Sequence, residues 1–76
     1  MIDLAAIRRA AGLTQIQLAA KLGVGQAQVS KIERQSDMLL GTLSSYLMAL
    51  GVHASLVVEV GEQTVTYDLT DGRGAR

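Results

Sequence analysis

The sequence contains no cysteine and only one histidine, His53. Without thiols the chain cannot form disulfides, thiolate metal sites or cysteine nucleophiles, and one imidazole does not complete a metal shell by itself. Ser44, Ser45 and Tyr46 carry hydroxyl groups, but the sequence places no His or Lys to activate them and no Asp to orient a base. We therefore expect no enzymatic activity, no metal and no cofactor, and we expect these three residues on the exposed side of a helix.

Aromatic residues are also scarce, because there is no Phe or Trp and there are only two Tyr. Hydrophobic residues nevertheless make up 49% of the chain, so the core must be built from aliphatic side chains. That composition suits packed helices better than a β-sandwich. With 76 residues the chain lies near the lower limit for a stable core, and association with a second copy would help it.

Long apolar runs are absent as well. No run approaches the roughly 20 residues that a membrane-spanning helix needs. The N-terminus lacks the charged and then apolar pattern of a signal peptide. These absences predict a cytoplasmic protein that does not associate with membranes.

Charge is unevenly distributed along the chain, although its formal sum is zero. Residues 1–37 carry five Lys or Arg and three Asp or Glu, a net charge of +2. Residues 38–76 carry two basic and four acidic side chains, a net charge of −2. A polyanion is therefore expected to meet the N-terminal half.

Capping signals divide the first fifty residues into short helices. Asp3 is a good N-cap for the first helix, and Gly12 stands where a C-terminal cap belongs. Thr14 followed three residues later by Gln17 is the signature of a capping box. Gly41 serves as the N-cap of the fourth helix. The predicted helices cover residues 4–11, 15–22, 26–34 and 42–50, and the predicted buried face of the last contains Leu43, Leu47 and Leu50.

Beyond the fourth helix the apolar residues recur at every second position on both sides of the dipeptide at 61–62, as in a β-hairpin. With Gly in the first central place of a two-residue turn, Val58 faces Val65 and Leu56 faces Tyr67. Both strands then present one apolar face together.

This hairpin either covers its own helices or pairs with a second copy of the chain. A two-stranded ribbon is marginally stable alone and leaves two edges exposed. Pairing with a second copy would bury both the apolar face and an edge, which favours a twofold dimer. The predicted interface residues are Leu56, Val57, Val58, Val60, Val65 and Tyr67.

The run GLTQIQLAAKLGVGQAQVSKIER at residues 12–34 resembles the Cro and lambda-repressor type of helix-turn-helix protein. The resemblance covers residues 4–51 and implies that the second helix crosses the DNA backbone while the third enters the major groove. The expected fold is mainly α, with four short helices in a lambda-repressor-like arrangement and a C-terminal β-hairpin. The expected organisation is a DNA-binding domain at 1–51, a dimerisation hairpin at 52–70 and a flexible tail at 71–76.

Helical geometry agrees with this assignment of the third helix. Placing Val29 and Ile32 inward leaves small, polar and basic residues outward. Gln bonds adenine, small apolar groups contact the thymine methyl, and Lys reaches guanine or phosphate. The candidates for base contacts are Gln26, Ala27, Ser30 and Lys31. The candidates for phosphate contacts are Gln15, which matches a family position with that role, Gln28 and Arg34.

Two further positions bear on the resemblance. Gly25 stands where the family usually carries Ser or Thr as the cap of the recognition helix, which removes a possible phosphate contact. Arg8 and Glu33 match a pair that forms a structural salt bridge in some relatives. The resemblance therefore implies that they hold the first helix against the third rather than touch DNA.

A helix-turn-helix followed by a β-forming dimerisation segment resembles the HigA-like and HipB-like antitoxins of bacterial toxin–antitoxin operons. The resemblance implies a homodimer that represses its own operon at a palindromic operator and binds a partner toxin. Two alternatives stay open: a stand-alone or phage-like repressor without a toxin, and an interaction module that has lost DNA binding, which the neutral net charge favours. A neighbouring toxin gene would argue against the stand-alone repressor. Salt-dependent DNA binding would argue against the interaction module.

Overall fold

The computed structural model describes residues 2–70, so the predicted flexible tail at 71–76 lies outside the described residues. The described chain folds as four α-helices followed by an antiparallel β-hairpin, as predicted. The elements are α1 Leu4–Ala10, α2 Gln15–Leu22, α3 Gln26–Arg34, α4 Leu40–Leu50, β1 Ser55–Val60 and β2 Gln63–Asp68. Within residues 2–70 no helix has the length and apolar character needed to cross a membrane.

Side-chain caps begin the first two helices where the sequence predicts them. At α1, Asp3 Oδ1 accepts a hydrogen bond from the Ala6 N–H at 3.0 Å. At α2, Thr14 Oγ1 accepts from the Gln17 N–H at 3.1 Å, and Gln17 Oε1 accepts from the Thr14 N–H at 2.9 Å. The predicted capping box is therefore present, and it satisfies two backbone donors at the start of α2.

A glycine in the left-handed conformation ends α2. Gly23 has a φ of 75°, and the N–H of Val24 reaches back to the Ala19 carbonyl at 3.0 Å. A residue with a side chain rarely adopts this conformation, which explains why glycine stands here. The chain then enters α3 at Gln26, so α2 and α3 meet across the tight turn that the sequence predicts.

The start of α4 differs from the prediction. The sequence predicts Gly41 as the N-cap of a helix beginning at Thr42. The helix instead begins at Leu40, and its N-cap is Leu39. No side chain caps this start, because neither Leu39 nor Gly41 has a side-chain oxygen. The Leu39 carbonyl accepts from the Leu43 N–H at 3.1 Å, so the helix extends backward by two residues.

The prediction that residues 44–46 lie on an exposed side of α4 is wrong for Tyr46. Its side chain is fully buried, whereas Ser45 is exposed and Ser44 is half-buried. The buried residues of α4 are Tyr46, Leu47 and Leu50, and the predicted core residue Leu43 is only partly buried. Burial of a tyrosine is favourable when its hydroxyl finds a hydrogen-bond partner, which it does here.

One hydrophobic core, aliphatic as predicted except for Tyr46, joins the helices to the chain that follows the hairpin. Leu69, just after β2, is 6% exposed and belongs to this core. Its N–H donates to the Ala54 carbonyl at 3.0 Å, and its carbonyl accepts from the Ser44 hydroxyl. The base of the hairpin is therefore fixed to the helices. The buried hydrophobic residues are Leu4, Leu18, Ala19, Val29, Ile32, Tyr46, Leu47, Leu50 and Leu69.

The hairpin has the predicted register but does not cover the helices. Val58 pairs with Val65 and Leu56 with Tyr67, across a two-residue turn in which Gly61 has a φ of 62°. All residues of β1 and β2 are exposed except Asp68, which is half-buried. The apolar side chains of the ribbon range from 43% to 58% exposed, so a single chain leaves its apolar face open to water.

Replacing Thr14 by Ala should lower the free energy of unfolding by about 1 kcal/mol, because the variant lacks the oxygen that caps α2. Urea denaturation followed by circular dichroism measures this loss. Thr14→Ser is the matched control, since serine keeps the hydroxyl, and it should stay within a few tenths of a kcal/mol of the parent. An equal loss in both variants would contradict a capping role for the hydroxyl.

Candidate nucleic-acid interface

The third helix buries one side and exposes a polar one. Val29 is fully buried and Ile32 is 7% exposed, so these two residues attach α3 to the core. On the other side, all but one of the predicted base-contacting and phosphate-contacting residues of α3 are exposed. The exception, Ser30, is half-buried. The exposed residues are Gln26, Ala27, Gln28, Lys31 and Arg34.

A pair of glutamines connects the starts of α2 and α3. Gln26 Nε2 donates to Gln15 Oε1 at 3.2 Å, and Gln15 Nε2 donates to Glu33 Oε1 at 2.9 Å. Gln15 is half-buried, whereas Gln26 is exposed. The side chain at the tip of α3 is therefore oriented by a hydrogen-bonded chain that begins at a carboxylate inside the protein.

That carboxylate belongs to an ion pair between α1 and α3. Arg8 Nε lies 2.7 Å from Glu33 Oε2, and the two side chains are only 9% and 5% exposed. Arg8 Nη1 also donates to the Leu13 carbonyl at 2.9 Å. Tyr46 donates its hydroxyl to Glu33 Oε2 at 2.6 Å and lies 3.1 Å from the Leu4 carbonyl oxygen. The Arg8–Glu33 pair that the family resemblance implies is thus present and sealed by α4.

Electrostatics in this cluster favour the charged forms of the ion pair. The hydrogen bond to Glu33 raises the pKa of Arg8 above its ordinary value, although burial opposes the shift. Burial alone would raise the pKa of Glu33, but the hydrogen bonds from Arg8, Tyr46 and Gln15 outweigh it, so the pKa is lowered. Burial and the neighbouring carboxylate both raise the pKa of Tyr46, which keeps its hydroxyl protonated as a donor.

A sequence profile described as helix-turn-helix matches residues 4–57 of the chain. The chain belongs to the helix-turn-helix family. This match includes all four helices and the first residues of β1. It agrees with the arrangement of α2 and α3 across their tight turn.

The helix-turn-helix chain is similar in sequence to an antitoxin. It is 51% identical over 65 residues to the putative antitoxin HigA3 of Mycobacterium tuberculosis, and the alignment covers 82% of this chain and 60% of that relative. The chain thus spans about three-fifths of the length of this curated relative.

Two solved structures are similar to the helix-turn-helix chain in both sequence and fold. One, described as DNA-bound antitoxin HigA3, has a TM-score of 0.78. The other, described as DNA bending induced by unique dimerisation of the HigA antitoxin, has a TM-score of 0.75. Each is 48% identical to this chain, with 87% of this chain and 88% of the other covered.

The candidate residues of the helix-turn-helix fall into connected groups. Gln15 and Gln26 form the hydrogen-bonded pair described above. Arg34 Nη1 donates to Ser30 Oγ at 2.8 Å, one turn away on the same helix. Lys31, which follows Ser30 in the sequence, is exposed, and within residues 2–70 it forms no ion pair. The candidate interface residues lie on the separate ribbon. The register places five of them on one face, namely Leu56, Val58, Val60, Val65 and Tyr67, whereas Val57 lies on the other.

Two helix-turn-helix residues were missed by the sequence analysis. Tyr46 completes the ion-pair cluster, and its spacing of three residues from Leu43 and four from Leu50 placed it on the apolar stripe of α4. Arg9 is exposed beside Gln26, in an open hollow that both residues line. No sequence pattern indicates that Arg9 and Gln26 border the same hollow, because this depends on how the helices pack.

Acid should destabilise this helix-turn-helix protein partly through Glu33. Because the pKa of Glu33 is lower in the folded chain than its ordinary value of 4.5, the unfolded chain takes up the proton first as the pH falls. The stability that the carboxylate contributes is therefore present above pH 4.5 and is lost as the pH falls below it, through the folded-state pKa. Denaturant unfolding at several pH values measures this loss.

Glu33→Gln should remove this part of the pH dependence and lower stability at pH 7 by about 3 kcal/mol, because Arg8 stays buried without a counter-ion. Tyr46→Phe is the milder variant, with an expected loss of about 1.5 to 3 kcal/mol for one hydrogen bond to a charged group. Glu59→Gln, on the exposed ribbon, is the matched control. The assignment fails if Glu59→Gln and Glu33→Gln alter the acid transition equally.

Proposed function

We propose that this helix-turn-helix protein is a sequence-specific transcriptional repressor that binds a palindromic operator as a homodimer. It acts by binding rather than by catalysis, in the cytoplasm where bacterial or phage DNA is found. The observation that carries the proposal is the exposed polar side of α3, in a fold that matches a DNA-bound antitoxin with a TM-score of 0.78. The mildly basic N-terminal half supports the same orientation towards a polyanion.

In the proposed complex, α3 lies in the major groove and α2 crosses the backbone. Gln26, Ala27, Ser30 and Lys31 contact base edges by the hydrogen bonds and methyl contacts open to these side-chain types. Gln15, Gln28 and Arg34 contact phosphates. Gln15 also accepts a hydrogen bond from Gln26. A phosphate bound by Gln15 would therefore help to hold the Gln26 amide in place against its base.

The dimer part of the proposal rests on the ribbon at residues 52–70. Its apolar face is open to water in one chain, and a two-stranded sheet has two unpaired edges. A second copy related by a twofold axis would cover that face and pair one edge. Two recognition helices related by the same axis would read a palindrome, with half-sites about one helical turn apart.

The antitoxin part of the proposal rests on the similarity to HigA3. The solved relatives are DNA-bound or dimerised HigA antitoxins, and the identity of 48% extends over most of this chain. We therefore propose that the protein represses its own toxin–antitoxin operon and neutralises a partner toxin. A toxin gene beside its own gene would distinguish this role from that of a stand-alone repressor.

Binding to DNA from its own promoter should weaken steeply as salt rises, because bound lysines and arginines release counterions from the duplex. Lys31→Ala should reduce affinity by about 1 to 3 kcal/mol per half-site and reduce discrimination between bases. Fluorescence anisotropy with a labelled promoter duplex measures both effects. Lys21→Ala, at the far end of α2 from Gln15, is the matched control. A flat salt response would favour an interaction module instead.

Val65→Asp should convert the protein to a monomer at micromolar concentration, since it places a charge on the apolar face of the ribbon. Thr64→Lys is the matched control, because it places a charge on the opposite face of the same strand, where its cross-strand partner is Glu59. Size-exclusion chromatography with light scattering measures the mass of each. Two dimeric variants, or two monomeric ones, would argue against an interface formed by this face.

A further inference from the structure

An open hollow lies where the end of α1 approaches the starts of α2 and α3. Arg9 of α1, Ile16 of α2 and Gln26 of α3 all line it. The remaining lining residues are Arg8, Gly12, Leu13, Thr14 and Gln15, so none of the side chains around the hollow is acidic. The hollow is thus continuous with the tip of α3, where the predicted base contacts begin.

Arg9 supplies the free positive charge of this hollow. Its neighbour Arg8 is neutralised by Glu33, and Arg34 bonds Ser30. Arg9 is exposed, and within residues 2–70 its side chain takes part in no hydrogen bond or ion pair. Its charge also suits the C-terminal end of α1. That structural role needs no particular neighbour and does not explain why the side chain borders the hollow.

Ile16 adds an apolar surface beside this charge. Its side chain is 64% exposed on the first turn of α2 and takes no part in the core. The cap at Thr14 accepts from the Gln17 N–H, which leaves the N–H groups of Gln15 and Ile16 without a partner inside the helix. A cation, free amide donors and an apolar side chain together match the charged and apolar parts of a sugar–phosphate backbone.

We propose that Arg9 binds a backbone phosphate of the DNA, while Ile16 packs against the adjoining deoxyribose. The inference rests on the proposed function and adds to it a contact made by α1. Because Gln26 borders the same hollow, the phosphate held by Arg9 lies beside the base that Gln26 reads. A contact of this kind carries no sequence information, so it strengthens binding to every duplex alike and fixes the orientation of α3 in the groove.

Arg9→Gln tests the contact by its salt dependence. Each phosphate contact contributes about 0.9 to the slope of log affinity against log salt, so a dimer that loses two contacts should lose about 1.8. The ratio of the parent's DNA affinity to that of the variant should then fall about 12-fold between 50 and 200 mM salt. The probes are the promoter duplex and a scrambled duplex of equal length, and both should weaken by the same factor. Arg9→Lys should keep the slope.

Lys21→Gln is the matched control, since it removes the same charge from an exposed residue outside the hollow. The thermal unfolding temperatures of Arg9→Gln and Lys21→Gln should fall slightly and by similar amounts, because each removes a positive charge from the last turn of a helix. Arg9→Lys should match the parent. If the parent binds with a steep salt slope and Arg9→Gln keeps that slope, the Arg9 contact is wrong and the proposed function stands. If Arg9→Gln weakens only the promoter duplex, Arg9 reads a base and the phosphate assignment is overturned. If the parent shows no salt-dependent binding, both proposals fail.

Discussion

The buried carboxylate of Glu33 is the constraint on which the arrangement of the helices depends. An ionised carboxylate removed from water costs several kcal/mol unless paired and hydrogen-bonded. Here its partners come from every other helix: Arg8 from α1, Gln15 from α2 and Tyr46 from α4. Among the described residues no buried side-chain nitrogen or oxygen lacks a partner. The charge is therefore tolerated only when all four helices are in place.

The same carboxylate links folding to recognition. The hydrogen bonds run from Glu33 through Gln15 to Gln26, that is, from the interior to the exposed tip of α3. A long amide side chain on the surface would otherwise sample several rotamers, and ordering it on binding costs free energy. Because the protein already restrains Gln26, less of that cost remains for the complex with DNA. Stability and orientation of the proposed reading surface are thus produced by one cluster.

Much of this architecture could be predicted from the sequence because the signals are local. The capping box at Thr14, the glycine at 23 and the two-residue turn at 61–62 depend only on neighbouring residues, and they set the helix starts and the strand register. The predictions failed where the local signal is weak or where distant residues decide the outcome. The start of α4 has no side-chain cap, whether at Leu39 or at Gly41. The hydroxyl of Tyr46 is satisfied by Glu33, which lies on another helix.

The interface residues divide in the same way. The exposed side of α3 follows from helical periodicity, because Val29 and Ile32 must face inward. That Arg9 and Gln26 border one hollow depends instead on how the helices pack. The residues adjacent to Arg9 in the sequence do not predict it. The exposure of the ribbon likewise requires the whole fold, since the alternation of apolar residues does not say what covers them.

The anchoring of Leu69 has a mechanical consequence for the proposed dimer. The ribbon leaves the helices near Ala54 and returns to them at Leu69, and a backbone hydrogen bond joins these two points. Both strands are anchored at the base of the ribbon, where Leu69 is buried in the core and bonds Ser44 of α4. This anchoring restrains the tilt of the ribbon relative to the helices in each protomer. In a twofold assembly joined through such ribbons, that tilt sets the distance between the two recognition helices. Leu69, although it lies far from the proposed base contacts, would thereby help to determine which half-site spacing the dimer accepts.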